Sequence, residues 1–192
     1  MVIGGQRERM DEEIKKMIGK SGDPGRGLAD YARFVKIHSQ VFKYGPSFEG
    51  CPFLPRIFGN SRILTDRLLS NPGWVGEIAA SPGFKGRELL SAELADMLRN
   101  AEGRENFDAA ARKFKYREMT RLVALDLSGE TEVKDTLAEW SDLADIIIDA
   151  VFRRAHAALA ARFGSPSLPD KSPCEGAVVA LGKLGGQELN LS

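Results

Sequence analysis

The sequence predicts a mainly α-helical chain that closes with one short strand and a glycine-rich turn. Three observations carry this. Apolar residues recur at helical spacing up to about residue 164. A capping side chain followed by proline, a helix-start signal, stands at Asp23–Pro24 and again at Asn71–Pro72. After the proline-rich stretch "SPSLPDKSPCEG" the texture changes to "AVVALGKLGGQELNLS", a partly β-branched run followed by glycines.

Each element has its own local signal. Beyond Asp23, the residues Leu28, Tyr31, Val35, His38 and Phe42 alternate steps of three and four, which predicts a helix buried on that stripe. "GPSFEGCPFLP" reads as a loop. Asn60 is a candidate cap for a short helix carrying Ile63, Leu64 and Leu68, and "NPGW" opens another. Past "SPGFKG", a helix carries Leu90, Leu94, Met97 and Leu98. A long helix is expected from about Glu105 to Leu127, stopped by Ser128 and Gly129. The longest runs from about Thr131 to Phe163, with Val133, Leu137, Trp140, Ala144, Ile147 and Val151 on one side. Its alanines near residues 155–161 suit close packing, and Gly164 ends it.

This gives four regions: an N-terminal extension (1–22), a helical region (23–164), a linker (165–175) and the start of a second domain (176–192). Lys plus Arg and Asp plus Glu both number 27, so the formal charge is zero. Without a basic surplus there is no electrostatic case for nucleic acid or an anionic membrane as partner. The N-terminus has no signal-type apolar core, and no apolar run approaches the roughly 20 residues of a spanning helix. Cys51 and Cys174 are far apart, which argues against a disulfide framework or zinc site and for a reducing, cytoplasmic setting.

The terminal turn fails two phosphate-binding patterns. A P-loop needs a hydroxyl after Gly182–Lys183, but Leu184 stands there, and its first glycine is replaced by Ala177. A dinucleotide fingerprint needs a leading glycine, but Ala180 stands there. A third pattern fits. Gly182, Lys183, Leu184, Gly185, Gly186, Glu188, Leu189, Asn190 and Ser192 match the turn G-K-L-G-G-x-E-[LM]-N-x-S. "LPRIFGNSRILTDRLLSNPGWV" and "RKFKYREMTRLVALDLSGETEVKDTLAEWSDLAD" carry the likeness upstream to about Tyr31. On these residues the chain resembles the glutamine synthetase adenylyltransferases, which are polymerase-β-like nucleotidyltransferases. It departs at Ala180, often glycine, and at Gln187, often arginine.

The resemblance implies a helical bundle followed by the first strand and turn of a nucleotidyltransferase domain. It implies a bifunctional enzyme that removes AMP from a tyrosine of glutamine synthetase by phosphorolysis and adds it from ATP. Its partners would be glutamine synthetase, the PII signalling protein, nucleotide and phosphate, and its cofactor Mg2+. The nucleotide-binding positions would be Gly182, Lys183, Gly185, Gly186 and Ser192. The family's aspartate pair comes directly after this motif, so no catalytic or metal-binding residue is expected within the chain. The expectation is an N-terminal fragment of the adenylyl-removing half, inactive alone.

Plainer readings stand beside these. Lys183 is otherwise a solvated turn lysine, and Gly185–Gly186 a tight turn at positive φ. The run Arg112, Lys113, Lys115, Arg117 and Arg121 suits an acidic partner or a solvated face. His38 reads as a core histidine, Trp74 and Trp140 as packing residues, and Cys51 as unactivated; His156 is assigned no role. A lone strand leaves its edges unpaired, so 176–192 is expected to be poorly anchored. The alternative to the enzyme is a self-sufficient all-helical interaction module.

Overall fold

The computed structural model describes the backbone of residues 2–42 and 45–190, and side chains from residue 8 onward. The helices are α1 (Val2–Ile18), α2 (Pro24–Val41), α3 (Arg62–Ser70), α4 (Trp74–Ala80), α5 (Arg87–Leu98), α6 (Gly103–Asp126), α7 (Val133–Phe163) and the single turn α8 (Gly182–Gly185). A 3-10 turn spans Leu54–Ile57. The chain is mainly helical, as expected. None of these helices is long and apolar enough to cross a membrane.

Two compact units form. The first comprises Met1–Phe84 with Tyr116–Val133. Its core gathers Ile14 and Ile18 from α1, Tyr31 and Phe34 from α2, Leu54 from the 3-10 turn, Phe48 and Phe58 from the loops, and Trp74 from α4. Asp23 caps α2 as expected, accepting the Arg26 N–H at 3.0 Å. The buried face of α2 differs from the expected stripe. Gly27, Tyr31, Phe34 and His38 point inward, while Leu28 and Phe42 are exposed. The cause is a close approach: a Cβ on Gly27 would sit 2.7 Å from Ile18 Cγ2 and 2.9 Å from Gly59 Cα. That contact rotates Phe34 into the core. His38 is a core histidine, packed between Phe34 and Phe42.

Two caps move by a residue or more. Ser61, not Asn60, caps α3, accepting the Leu64 N–H at 3.4 Å. Asn60 instead accepts the Gly22 N–H and donates to the Arg56 carbonyl, which ties the α1–α2 turn to the 3-10 turn. Asn71 closes α3 rather than opening α4, and Gly73 is the residue that precedes α4.

The basic run on α6 is not uniformly solvated. Arg112, Lys113 and Lys115 are exposed. Arg121 and Glu118 are fully buried, and Arg121 Nη1 donates to the Gly83 carbonyl at 2.6 Å. A charge on the buried face is tolerated because it is paired and hydrogen-bonded.

The second unit comprises Lys85–Lys115 with Lys134–Ser192. Arg87 on α5 reaches Asp142 and Asp145 on α7. Arg154 on α7 lies over the Phe107 ring of α6. The buried face of α7 is Thr136, Glu139, Trp140, Ser141, Leu143 and Ile146. The expected stripe through Val133 and Val151 is wrong at both ends, since both are exposed. Polar residues take the inward positions because their groups are satisfied: Glu139 accepts the Lys85 N–H at 2.9 Å, and Ser141 bonds back to Leu137. An apolar-periodicity reading does not see such positions.

Candidate functional site

The segment C-terminal to α7 builds the site. Gly164 ends the helix at φ +88, a conformation glycine adopts without a Cβ penalty. Residues 165–175 fold back on themselves. Ser167 bridges Pro173, the Leu168 N–H donates to Ser172 O, and the Cys174 N–H donates to Pro166 O. Asp170 accepts from both the hydroxyl and the N–H of Ser172, and these bonds hold its carboxyl below the usual range.

The expected strand does not form. Residues 176–181 are irregular, and Val178, Val179 and Leu181 are exposed. A strand exists only as part of a ladder. Among the described residues no backbone hydrogen bond reaches this segment from a neighbouring one. Its start is fixed differently, by Gly176 lying against Phe152, where a Cβ would meet Cζ at 2.9 Å.

The glycine turn is a single helical turn, Gly182–Gly185. The Gly186 N–H donates to Gly182 O, the Gln187 N–H to Leu184 O, and the Glu188 N–H to Lys183 O. Positive φ falls at Gly182 (+64) and Gln187 (+58), not at the Gly185–Gly186 pair. Gly185 is needed for another reason: a Cβ there would lie 2.5 Å from the Ala180 carbonyl oxygen. Gly186 has room. Lys183 is exposed. The first amides of such a turn have no partner within it, and among the described residues no backbone acceptor meets the Lys183 or Leu184 N–H. Gly182, Lys183, Gly185 and Gly186 therefore come together, while Ser192 lies outside the described residues.

An open cavity of about 590 Å³ adjoins the turn, lined among others by Arg87, Asp145, Phe152, Val178, Leu184 and Gln187. Its charges are already paired. Arg87 is bound to both aspartates, and Asp145 foremost raises its guanidinium pKa. The sequence reading missed the residues that hold the tail. Trp140, read only as packing, donates its indole N–H to the Asn190 carbonyl, and Ser141 accepts the Leu189 N–H. The available signal was the indole itself, since a buried tryptophan N–H needs an acceptor.

Residues 53–192 match the family described as glutamate-ammonia ligase adenylyltransferase. The match begins at residue 53, later than the Tyr31 suggested by the sequence pattern. The chain is 31% identical over 140 residues to the bifunctional glutamine synthetase adenylyltransferase/adenylyl-removing enzyme of Shewanella loihica, covering 72% of this chain and 15% of that protein. It is 32% identical over 130 residues to the same-named enzyme of Thioalkalivibrio sulfidiphilus, covering 68% of this chain and 12% of the relative. That of Shewanella frigidimarina is 26% identical over 145 residues, 72% of this chain and 15% of the relative. The aligned part thus spans only about an eighth to a seventh of these relatives' length. With the glycine turn and most of the helical region inside the matched span, the chain belongs to the glutamate-ammonia ligase adenylyltransferase family.

Proposed function

We propose that this chain serves an enzyme that controls glutamine synthetase by removing AMP from a tyrosine and restoring it from ATP. Residues 23–164 are the helical region and 165–175 the connection. Residues 176–192 open the nucleotidyltransferase domain. In removal, a phosphate oxygen attacks the phosphorus of tyrosyl-AMP, and the tyrosine oxygen leaves with a proton. The PII signalling protein and glutamine would set the direction, in the cytoplasm. The observation that carries this reading is the Gly182–Gly185 turn, with first amides that meet no backbone acceptor among the described residues and an exposed lysine, in a segment that matches the family motif.

What this chain brings to such chemistry is placement. Backbone N–H groups in a tight turn bind phosphate oxygens, and Lys183 adds a positive charge nearby. Magnesium would supply positive charge at the phosphates and would need carboxylate oxygens to hold it. Among the described residues no group of three or more His, Cys, Asp or Glu side chains is placed to do so. The described residues therefore do not fit the metal, and their contribution is orientation and anion binding.

The test is a titration of the isotope-labelled chain with ATP and, separately, inorganic phosphate, read by amide chemical shifts. Shifts confined to Lys183–Gly186 support the reading; no shift there at millimolar ligand rejects it. In parallel, the purified chain is expected to form no ADP from inorganic phosphate and adenylylated glutamine synthetase.

A further inference from the structure

The segment after the glycine turn runs antiparallel to α7 and is pinned to it at three points. Gln187 Nε2 donates to Asp145 Oδ2 at 3.3 Å, the Leu189 N–H donates to Ser141 Oγ at 3.1 Å, and Trp140 Nε1 donates to the Asn190 carbonyl at 3.0 Å. Residue numbers rise along the tail as they fall along the helix. Ser141 and Asp145 are four apart, so they share one face of α7 a single turn apart.

The helix side of this contact is set in advance. Ser141 is fully buried, and its hydroxyl hydrogen is committed to the Leu137 carbonyl at 2.8 Å. Only lone pairs remain, so the oxygen can accept a bond but not give one. Trp140 is nearly buried, and its indole can only donate. Asp145 is steadied by Arg87 Nη1 at 3.0 Å, and that arginine also holds Asp142 at 3.2 Å. Helix α7 therefore presents a donor, an acceptor and an acceptor, and the tail meets them with a carbonyl, an N–H and a side-chain amide. A slip of one residue would strip the buried Trp140 and Ser141 groups of these partners, which is costly for buried polar atoms.

The pinned segment in turn grips the turn. The Glu188 N–H donates to Lys183 O at 2.7 Å and the Gln187 N–H to Leu184 O at 3.1 Å. Gln187 sits at φ +58, an unfavourable conformation for a residue with a Cβ, and its side-chain bond to Asp145 helps offset that cost.

The geometry points to Trp140, Ser141 and Asp145 as positioning residues, side chains of α7 that set the register of residues 187–190 and through them the conformation of Lys183 and the glycine turn. The purpose assigned to this coupling, presenting the turn to a phosphate, rests on the function proposed above. None of the three side chains touches a reacting group, so their effect must pass through the backbone of the tail.

The experiment is amide exchange and chemical-shift mapping on the labelled 192-residue chain, as wild type, Ser141→Ala, Ser141→Thr and Trp140→Phe. Removing the Ser141 hydroxyl should speed exchange at Leu189 about tenfold and move the amide shifts of Lys183, Gly185 and Gly186. Threonine, which keeps the oxygen, should restore both. Trp140→Phe, which keeps an aromatic ring but deletes the N–H, should move the same turn resonances, and it carries the test if the buried Ser141 variants fail to fold. Unchanged Leu189 exchange, or faster exchange with Lys183–Gly186 unmoved, would overturn the positioning role. Adding ATP separates the two ideas: an unresponsive wild-type turn rejects the phosphate reading, while the exchange and shift data still decide the coupling to α7.

Discussion

Arg121 Nε lies 2.8 Å from Glu118 Oε2, and neither side chain is exposed to solvent. The other Glu118 oxygen is bound by Arg117 Nε at 2.8 Å, and Arg117 reaches on to Glu77 at 3.0 Å. Burial opposes the Arg117 charge, but Glu118 and then Glu77 outweigh it, and its pKa is raised. One carboxylate thus sits between two guanidinium groups on successive turns of α6. Replacing Glu118 with Gln keeps the shape but removes that charge. The expected loss is about 3–5 kcal/mol of folding stability, the usual cost of breaking a buried pair from one side. Urea unfolding checks it, and an unchanged midpoint would mean the carboxylate contributes no net stability.

Glycines in the first unit divide into those that need the missing Cβ and those that do not. Gly27→Ala would place a methyl 2.7 Å from Ile18 Cγ2 and against the Gly59 backbone, and should cost about 1–3 kcal/mol through overpacking. Gly76, exposed within α4, has nothing within 4 Å of its Cβ position. Gly76→Ala should therefore stabilise by about 0.5–1 kcal/mol, because alanine loses less backbone freedom in a helix. Thermal melts of the two variants should move in opposite directions.

Cys51 is buried, its Sγ lies 3.8 Å from the Val75 carbonyl oxygen, and burial pushes its thiol pKa up to about 11 from an ordinary 9.0. The native state therefore holds this proton more tightly than the unfolded chain does. The associated stability is complete below about pH 9 and declines as pH rises toward about 11. Iodoacetamide at pH 8 should label Cys174 in the folded protein and reach Cys51 only on unfolding. Equal labelling of both in native buffer would contradict the buried placement of Cys51.

Val179 is 78% exposed and Leu181 85%, in a segment without a backbone partner among the described residues. Val179→Lys should leave unfolding stability within about 0.5 kcal/mol, as for other exposed positions. It should also lower any concentration-dependent self-association, because a lysine blunts an exposed edge. Sedimentation velocity across a tenfold concentration range reads the second effect. A large loss of stability instead would show that Val179 is packed in solution.

Much of the helical plan was legible because helix formation and termination are local events. Asp23 and Pro24 mark the start of α2, Gly164 marks the end of α7, and the long helices fall within two or three residues of where periodicity placed them. The choice of buried face was less legible. On α2 the Gly27–Gly59 approach decided it, and on α7 the satisfied polar residues Glu139 and Ser141 did. Apolar counting is blind to both.

The glycine turn divides the same way. Its residue types and spacing marked the segment and tied the chain to its family, since a turn that backs onto a carbonyl at Gly185 restricts which residues fit. How that turn is held was decided in three dimensions. The bonds from Trp140, Ser141 and Asp145 span more than forty residues of chain, and the strand expected at 177–182 has no ladder to join among the described residues. Caps, stops and turn chemistry are written in neighbouring residues. Partnerships between distant polar groups exist only once folding has brought their carriers together.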